Sequence, residues 1–203
     1  MSAARDADLI VQHIDWAITV DAARRVIRDA GIAIKDGRFA AVGKSAEIEG
    51  AWQSHHVISG KDTVLTPGLI DNHLHSSFSL ARGLADEANA QSFLFDHMYP
   101  YEAAMREEDV YVAVSLAATE MLRHGVTCFI EPGNYHPDAT VRAVMAAGMR
   151  MVLAVSCFDR NQSVTGLMPG AMIDDTARCI AKTEELFDKY PGRHQDRLSV
   201  SAS

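Results

Sequence analysis

The sequence of 203 residues lacks the features that mark several large classes of protein. It has no run of basic residues and its net charge is −8, so it lacks the positive surface that nucleic acids and anionic membranes attract. No apolar stretch is long enough for a transmembrane helix, and the N-terminus does not have the layout of a signal peptide. No G-x-G-x-x-G motif follows a strand-like segment, which disfavours a dinucleotide-binding protein. The sequence therefore predicts no nucleic-acid partner and no membrane partner.

Cysteine is also scarce. Cys128, Cys157 and Cys179 are odd in number and widely spaced, and no C-x-x-C pair occurs. This usage is typical of reduced, mostly buried thiols in a cytoplasmic protein. Because 48% of the residues are hydrophobic and 23% are charged, the chain can bury a core and is not disordered by composition.

Residues 1–66 have the pattern of a β-rich segment. From Ile10 to Val20 the alternate positions are mostly apolar, as in a half-buried strand. Asp36-Gly37 stands between two apolar runs and predicts a hairpin turn. A short helix is expected over residues 45–52.

From Pro67 onwards, strand-like and helix-like segments alternate. The predicted strands are 69–75, 126–130, 150–156 and 198–202, and the predicted helices are 102–124, 137–147 and 173–190. In the last helix, four apolar residues are expected to point inward: Ala177, Ile180, Ala181 and Phe187. This repetition implies parallel strands, and four such units make half of an eight-stranded barrel. We therefore expect an α/β fold that contains the first half of a TIM-type (β/α)8 barrel in a truncated chain.

The segment from Thr66 to His75, TPGLIDNHLH, carries the strongest chemical signal. Pro67-Gly68 is a turn signal, and an apolar strand begins directly after it. His73 and His75 are two residues apart, so both imidazoles would project from the same face of a strand at its carboxyl end. Two neutral imidazoles placed in this way can bind one divalent ion. A bare H-x-H also arises by chance in a chain with nine histidines, but its position after a turn and a buried strand favours the metal site.

The segment 76–100 is too long for an ordinary connection between a strand and a helix, and we expect it to cap the metal site. The candidate pocket residues are Ser76, Ser77, Leu80, Arg82 and Glu131. Arg82 would hold a polar or anionic group of the substrate or would fix the loop to its own backbone. Glu131 would support His73 or His75 from behind, or would be a solvated loop carboxylate.

The segments TPGLIDNHLHSSFSLARGLAD and EMLRHGVTCFIEPG resemble the amidohydrolase superfamily, in particular its cytosine/guanine deaminase and triazine hydrolase branch. The resemblance covers nearly the whole chain and implies a (β/α)8 barrel beside a small β-sandwich that is built from both chain ends. On that resemblance, residues 1–66 supply the N-terminal part of the sandwich and residues 67–203 supply barrel units one to four. His73 and His75 match the family's first two metal ligands. The other ligands and the acid/base residues are expected beyond Ser203, so the chain alone is expected to be inactive.

The resemblance also implies a chemistry. It predicts a metal-dependent hydrolase that acts on non-peptide carbon–nitrogen bonds, most simply by deaminating a small aminated heterocycle. One divalent metal ion is expected rather than two, because residues 198–203 contain no lysine to bridge a second ion. Zn²⁺ is preferred to Fe²⁺. A homo-oligomer is expected at full length. A cyclic amidase or triazine dehalogenase on the same scaffold, and an inactive half-barrel that acts as a binding module, are the alternatives.

Overall fold

The structure is a computed structural model that describes residues 4–160, 168–192 and 196–202. The chain forms two compact units, Met1–Pro67 and Gly68–Ser203. The first unit is rich in β-structure, and the second alternates strands and helices, so the fold is α/β. Across the described ranges, no helix combines the length and the apolar character needed to cross a membrane.

The N-terminal unit is built on a mixed β-sheet. Its elements are β1 (Arg5–Asp6), β2 (Leu9–Ile18), β3 (Val26–Lys35), β4 (Arg38–Lys44), α1 (Ser45–Ala51), β5 (Trp52–Gln53), β6 (Val57–Ser59) and β7 (Val64–Leu65). β2, β3 and β4 pair in antiparallel fashion, whereas β6 and β7 run parallel to β2. In the turn between β3 and β4, Asp36 has a φ of 50° and Gly37 a φ of 69°, as the Asp-Gly hairpin signal predicts.

The C-terminal unit contains a parallel sheet in the order β11-β10-β9-β8. Its elements are β8 (Leu69–Asp71), a 3-10 helix (Ser76–Leu80), α2 (Ala90–Ser92), a π-helical turn (Phe93–Met98), α3 (Tyr99–Ala104), α4 (Glu107–Arg123), β9 (Val126–Asn134), α5 (Pro137–Ala147), β10 (Arg150–Val155), a 3-10 turn (Gly170–Met172), α6 (Thr176–Lys189) and β11 (Leu198–Val200). β8 is an outer strand of this sheet, and its Leu69 and Ile70 are 58% and 63% exposed.

The C-terminal end of α4 and both ends of α5 agree with the sequence prediction because local chemistry determines them. α4 is followed by Gly125, which has a φ of 82°, and α5 begins at Pro137 and ends at Gly148 with a φ of 74°. Side chains of both helices share one buried cluster with Phe129 of β9. This packing holds the carboxyl end of β9 in a fixed place.

The predicted helix over residues 102–124 is wrong in its first part. The chain forms α3 and α4 instead, because Met105 and Arg106 between them are extended. The Arg106 N–H donates to Asp109 Oδ2 at 3.0 Å, as in a capping box that starts a new helix. Glu102 is therefore buried near the end of α3 rather than standing in the first turn of a long helix.

The predicted inward face of the last helix is also wrong. The four residues expected inside are exposed: Ala177, Ile180, Ala181 and Phe187. The buried residue of α6 is Leu186, and Tyr190, four positions later, packs on the same core. Two apolar stripes run along this helix, and the packing selects the one that the sequence pattern makes less obvious.

The prediction of three reduced thiols is wrong for two of the cysteines. Cys157 and Cys179 are half-buried and form a disulfide bond, with their Cα atoms 5.4 Å apart. Cys128 is free and half-buried. Cys157 follows β10 and Cys179 lies on α6, and the fold brings the two residues together. Their separation of 22 residues in the sequence does not reveal this proximity.

Candidate metal centre

The centre lies where β8 ends. The strand stops at Asp71, so His73 and His75 follow the strand rather than lie on it, and the predicted strand over 69–75 is too long. Asp71 Oδ1 accepts a hydrogen bond from the His73 N–H at 3.1 Å and so directs the backbone out of the strand. The Leu74 N–H donates to the Ile130 carbonyl at 3.0 Å, which keeps this segment beside β9.

Gly68 allows β8 to approach β9 closely. A Cβ atom at this position would lie 2.1 Å from Thr127 Oγ1, and the φ of Gly68 is outside the left-handed region. The glycine of the Pro-Gly pair is therefore required for space between the two strands. The freedom of φ that the turn signal suggested is not what this position uses.

The two imidazoles are brought together although neither lies on the strand. The ring centroids of His73 and His75 are 5.1 Å apart and the rings meet edge to face. His73 is exposed, and the side chain of His75 is 39% exposed. Burial, followed by the charge of His73, lowers the pKa of His75, which keeps that ring in the neutral form that binds a metal.

The histidine pair supplies two of the ligands that a metal ion needs. Within residues 4–160, 168–192 and 196–202, no group of three or more histidine, cysteine or acidic side chains is placed to hold an ion. Two neighbouring imidazoles at the end of a parallel strand fit part of a site for a divalent cation, whose remaining ligands must come from other groups.

Glu131 connects the end of β9 to this pair. It lies opposite Leu153 of β10 and is fully buried. Its Oε2 accepts hydrogen bonds from the Ser76 N–H at 2.9 Å and from the Ser76 Oγ–H at 2.5 Å. Its Oε1 lies 3.7 Å from His75 Nδ1 and has no hydrogen-bond partner among the described residues. Burial raises the pKa of Glu131 to about 8, although the two bonds from Ser76 and the backbone N–H of Gly133 act in the opposite direction.

The other pocket candidates lie in different surroundings. Ser77 is buried, whereas Leu80 is 46% exposed. Arg82 is exposed and forms two hydrogen bonds with Glu120 of α4, one of them 2.8 Å long between Nη1 and Oε1. The structure therefore places the guanidinium of Arg82 on a helix side chain, and not on the backbone of its own loop.

Aromatic rings hold the other side of His75. The ring of Phe78 stacks on His75 with a centroid distance of 5.4 Å, and Tyr101 meets Phe78 edge to face at 6.3 Å. The Tyr101 hydroxyl donates to the Ser77 carbonyl at 3.3 Å. The segment after β8 therefore packs directly on a candidate ligand. Phe78 was not among the site residues predicted from the sequence. Its position three residues after His75 is the signal that could have identified it.

Five buried polar atoms near the end of β9 have no hydrogen-bond partner of good geometry among the described residues, although Ser77 lies close enough to Glu102 to lower the pKa of that carboxyl. The atoms are Ser77 Oγ, Glu102 Oε1, Glu131 Oε1, Asn134 Nδ2 and Tyr135 OH. The charge of Glu102 raises the pKa of both Glu131 and Tyr135, in addition to the larger effect of burial, so these groups share one region. Burial also raises the pKa of Glu102 itself to about 7. Because buried polar groups are normally paired, this region offers partners to a polar ligand.

No role was predicted for Glu102, Asn134 or Tyr135. Glu102 was expected to be the first residue of a long helix, and the break before α4 depends on tertiary packing. Asn134 and Tyr135 follow Glu131 at the carboxyl end of a parallel strand, which is a position that marks functional residues in barrel folds. That position is the signal by which they could have been found.

Parallel strands that alternate with helices, with imidazoles and a buried carboxyl where two neighbouring strands end, define a class of α/β proteins whose active sites form at strand ends. The profile of the amidohydrolase family matches residues 64–201, which is more than half of the chain. This chain therefore belongs to the amidohydrolase family, and the predicted membership is confirmed.

The relatives of this chain carry deaminase names. It is 40% identical over 141 residues to the 5-methylthioadenosine/S-adenosylhomocysteine deaminase of Nitratidesulfovibrio vulgaris, a match that covers 70% of this chain and 32% of the relative. It is 32% identical over 168 residues to the 5'-deoxyadenosine deaminase of Methanosarcina barkeri, which covers 81% of this chain and 37% of the relative. The chain spans about a third of the length of these curated relatives.

Solved structures share the fold. An adenosine deaminase from Xanthomonas campestris with bound zinc has a TM-score of 0.81 and 24% identity, over 98% of this chain and 43% of that one. The atrazine chlorohydrolase TrzN from Arthrobacter aurescens, complexed with zinc, has a TM-score of 0.83 and 21% identity, over 96% and 46%. At these identities the likeness shows the fold alone.

Proposed function

We propose that this protein is a metal-dependent hydrolase that acts on non-peptide carbon–nitrogen bonds and removes the amino group of a small aminated heterocycle. The observation that carries the proposal is the pair His73 and His75, which lies beside the buried carboxyl of Glu131 where β8 and β9 end. The deaminase names of the relatives support a substrate of the adenosine type.

His73 and His75 would hold one divalent cation, Zn²⁺ in preference to Fe²⁺. When it is bound, such an ion lowers the pKa of water towards neutrality, which is the chemistry that hydrolysis at pH 7 needs. The neutral ring of His75 offers a nitrogen lone pair, and Glu131 anchors the backbone directly after it through Ser76. The remaining ligands and the group that moves protons are expected in strands that follow Ser203 in the family's barrel. Those later strands would complete the (β/α)8 barrel that residues 67–203 begin. The later part of the chain would also complete the sandwich that residues 1–66 begin.

The substrate would meet the buried polar groups near the end of β9. Ser77, Glu102, Asn134 and Tyr135 each have a polar atom that a heterocycle with hydrogen-bonding substituents would satisfy. Ser76 and Glu131 support the metal ligands from behind.

We assign Arg82 to holding the capping segment against α4 and leave the exposed Leu80 outside the pocket wall. The protein is proposed to act in the cytoplasm as a homo-oligomer.

The test is to express the full coding sequence, measure its metal by elemental analysis and assay it on adenosine derivatives, guanine and chlorotriazines. About one zinc ion per chain together with release of ammonia would support the proposal. Release of chloride or opening of a ring would favour the dehalogenase or the cyclic amidase. A protein that folds but contains no metal and turns over none of these compounds would refute the proposal and favour an inactive binding module.

A further inference from the structure

We infer that Glu131 is a positioning residue for His75: its unshared oxygen accepts the Nδ1–H of that ring and leaves Nε2 to bind the cation. The inference deepens the proposed function and rests on it for the role of His75 as a ligand. It concerns the tautomer and the orientation of one ring, both of which are measurable without turnover.

The two oxygens of Glu131 have different surroundings. Oε2 accepts both donors of Ser76, the residue that follows His75, and so it is fully engaged. Oε1 is buried and has no hydrogen-bond partner in the described part of the chain, and His75 Nδ1 lies 3.7 Å away. A buried oxygen without a donor is costly, and this distance is slightly longer than a hydrogen bond, so a small rotation of the ring would satisfy it. One carboxyl group thus accepts hydrogen bonds from Ser76 and faces the ring of His75.

The other neighbours of His75 restrict how its ring can rotate. Phe78 stacks on one face at 5.4 Å, and His73 stands edge to face at 5.1 Å. The backbone of Gly133 approaches both groups, because it raises the pKa of His75 and lowers the pKa of Glu131. Its carbonyl is therefore a competing acceptor for a ring proton of His75. In metal sites, a carboxylate on the second ring nitrogen fixes the tautomer and makes the histidine a better ligand.

The decisive variant is Glu131→Gln, studied by ¹⁵N NMR of the metal-free full-length protein at alkaline pH. A glutamine has one oxygen, which stays with the two donors of Ser76, so its NH2 group faces His75 Nδ1 and donates to it. We expect His75 to change from the Nδ1–H tautomer in the wild type to the Nε2–H tautomer in the variant. Zinc affinity, measured by competition with a chromophoric chelator, should fall about 10–100-fold because the proton then occupies the ligating nitrogen.

Two controls separate orientation from anchoring. Glu120→Gln makes the same change at the exposed partner of Arg82 and should alter neither the tautomer nor the affinity. Ser76→Ala removes one of the two bonds to Oε2 and should keep the Nδ1–H tautomer.

An unchanged tautomer in Glu131→Gln would show that Glu131 does not set the tautomer of His75 and would overturn the inference. If that variant does not fold, the wild type decides by itself: a coupling across the hydrogen bond from His75 Nδ1 to the Glu131 carboxyl carbon supports the inference, and a coupling to the Gly133 carbonyl carbon overturns it. Failure of the unmodified full-length protein to bind zinc would refute the metal centre, whereas these metal-free measurements would still decide the role of Glu131.

Discussion

The ends of β8 and β9 lie next to each other and are built in opposite ways. β8 is three residues long, lies at the edge of the sheet and is followed by two histidines that are exposed or half-buried. β9 is nine residues long, pairs with a strand on each side, contains Glu131 and ends at Asn134, and both of these residues are no more than 1% exposed. The two histidines therefore follow the shorter edge strand, and they take their position from contacts with the longer, buried strand.

The contrast shows that the reactive side chains follow β8, whereas the residues that position them belong to β9. His73 is exposed and His75 is only partly buried, so their removal should affect chemistry more than folding. Side chains of β9 are part of the packing, so their removal should affect folding first.

The largest effect is expected from His73→Ala or His75→Ala in the full-length protein, because each removes a nitrogen ligand. Zinc occupancy and turnover should be lost together, while the unfolding free energy of the exposed His73 variant should change by less than about 0.5 kcal/mol. Elemental analysis, an ammonia assay and urea unfolding measure the three quantities, with His55→Ala in an exposed loop as the control. Turnover that persists in a variant without bound metal would refute the assignment.

On the β9 side, Phe129→Ala should destabilise the chain by about 3–5 kcal/mol, because the ring is fully buried in the main core and leaves a cavity. Urea unfolding measures the loss, and Leu122→Ala on the exposed side of α4 should cost much less. A loss below about 1 kcal/mol at Phe129 would mean that β9 is not the rigid partner in the comparison.

Glu102→Gln should remove a dependence of stability on pH. The pKa of Glu102 is raised from 4.5 to about 7 by burial, so the folded state keeps a proton that the unfolded state releases in this range. Its stabilising effect is complete below pH 4.5 and is lost as the pH rises towards 7, and the whole difference is on the order of 3 kcal/mol. Unfolding measured from pH 4.5 to 8 should show this fall in the wild type and a flatter curve in the variant. Parallel curves would contradict the buried position of Glu102.

The smallest effect is expected from Arg82→Ala. Its ion pair with Glu120 is exposed, so its loss should cost little stability, and less still at high salt. Turnover and KM of the full-length protein should stay the same if Arg82 only holds the capping segment. A raised KM with unchanged stability would instead show that Arg82 binds the substrate, and it would break the assignment of reactive groups to the ends of the two strands.

The parts of the fold that local chemistry determines could be predicted from the sequence. The Asp36-Gly37 turn, the start of α5 at Pro137 and the ends of α4 and α5 before Gly125 and Gly148 follow from backbone preferences of single residues. Membership of the amidohydrolase family could also be predicted, because its motifs lie on contiguous segments.

Features that depend on contacts between distant segments could not be predicted. The break at Met105 and Arg106 buries Glu102, the pairing of Cys157 with Cys179 joins a loop to α6, and the choice between two apolar stripes on α6 is made by the core. At the candidate site, the sequence indicated the histidines and Glu131. It did not show that β8 ends at Asp71 or that one oxygen of Glu131 is left without a partner, since both depend on how β9 packs.

The exposed side chains of Leu69 and Ile70 have a practical consequence for anyone who handles these 203 residues by themselves. They make the edge of the parallel sheet apolar, and an exposed apolar edge strand pairs with strands of neighbouring molecules. Stock solutions should therefore be kept dilute and free of sulfate, which strengthens burial of apolar surface. Light scattering that grows with storage time would be the first sign that molecules are adding to one another along this strand.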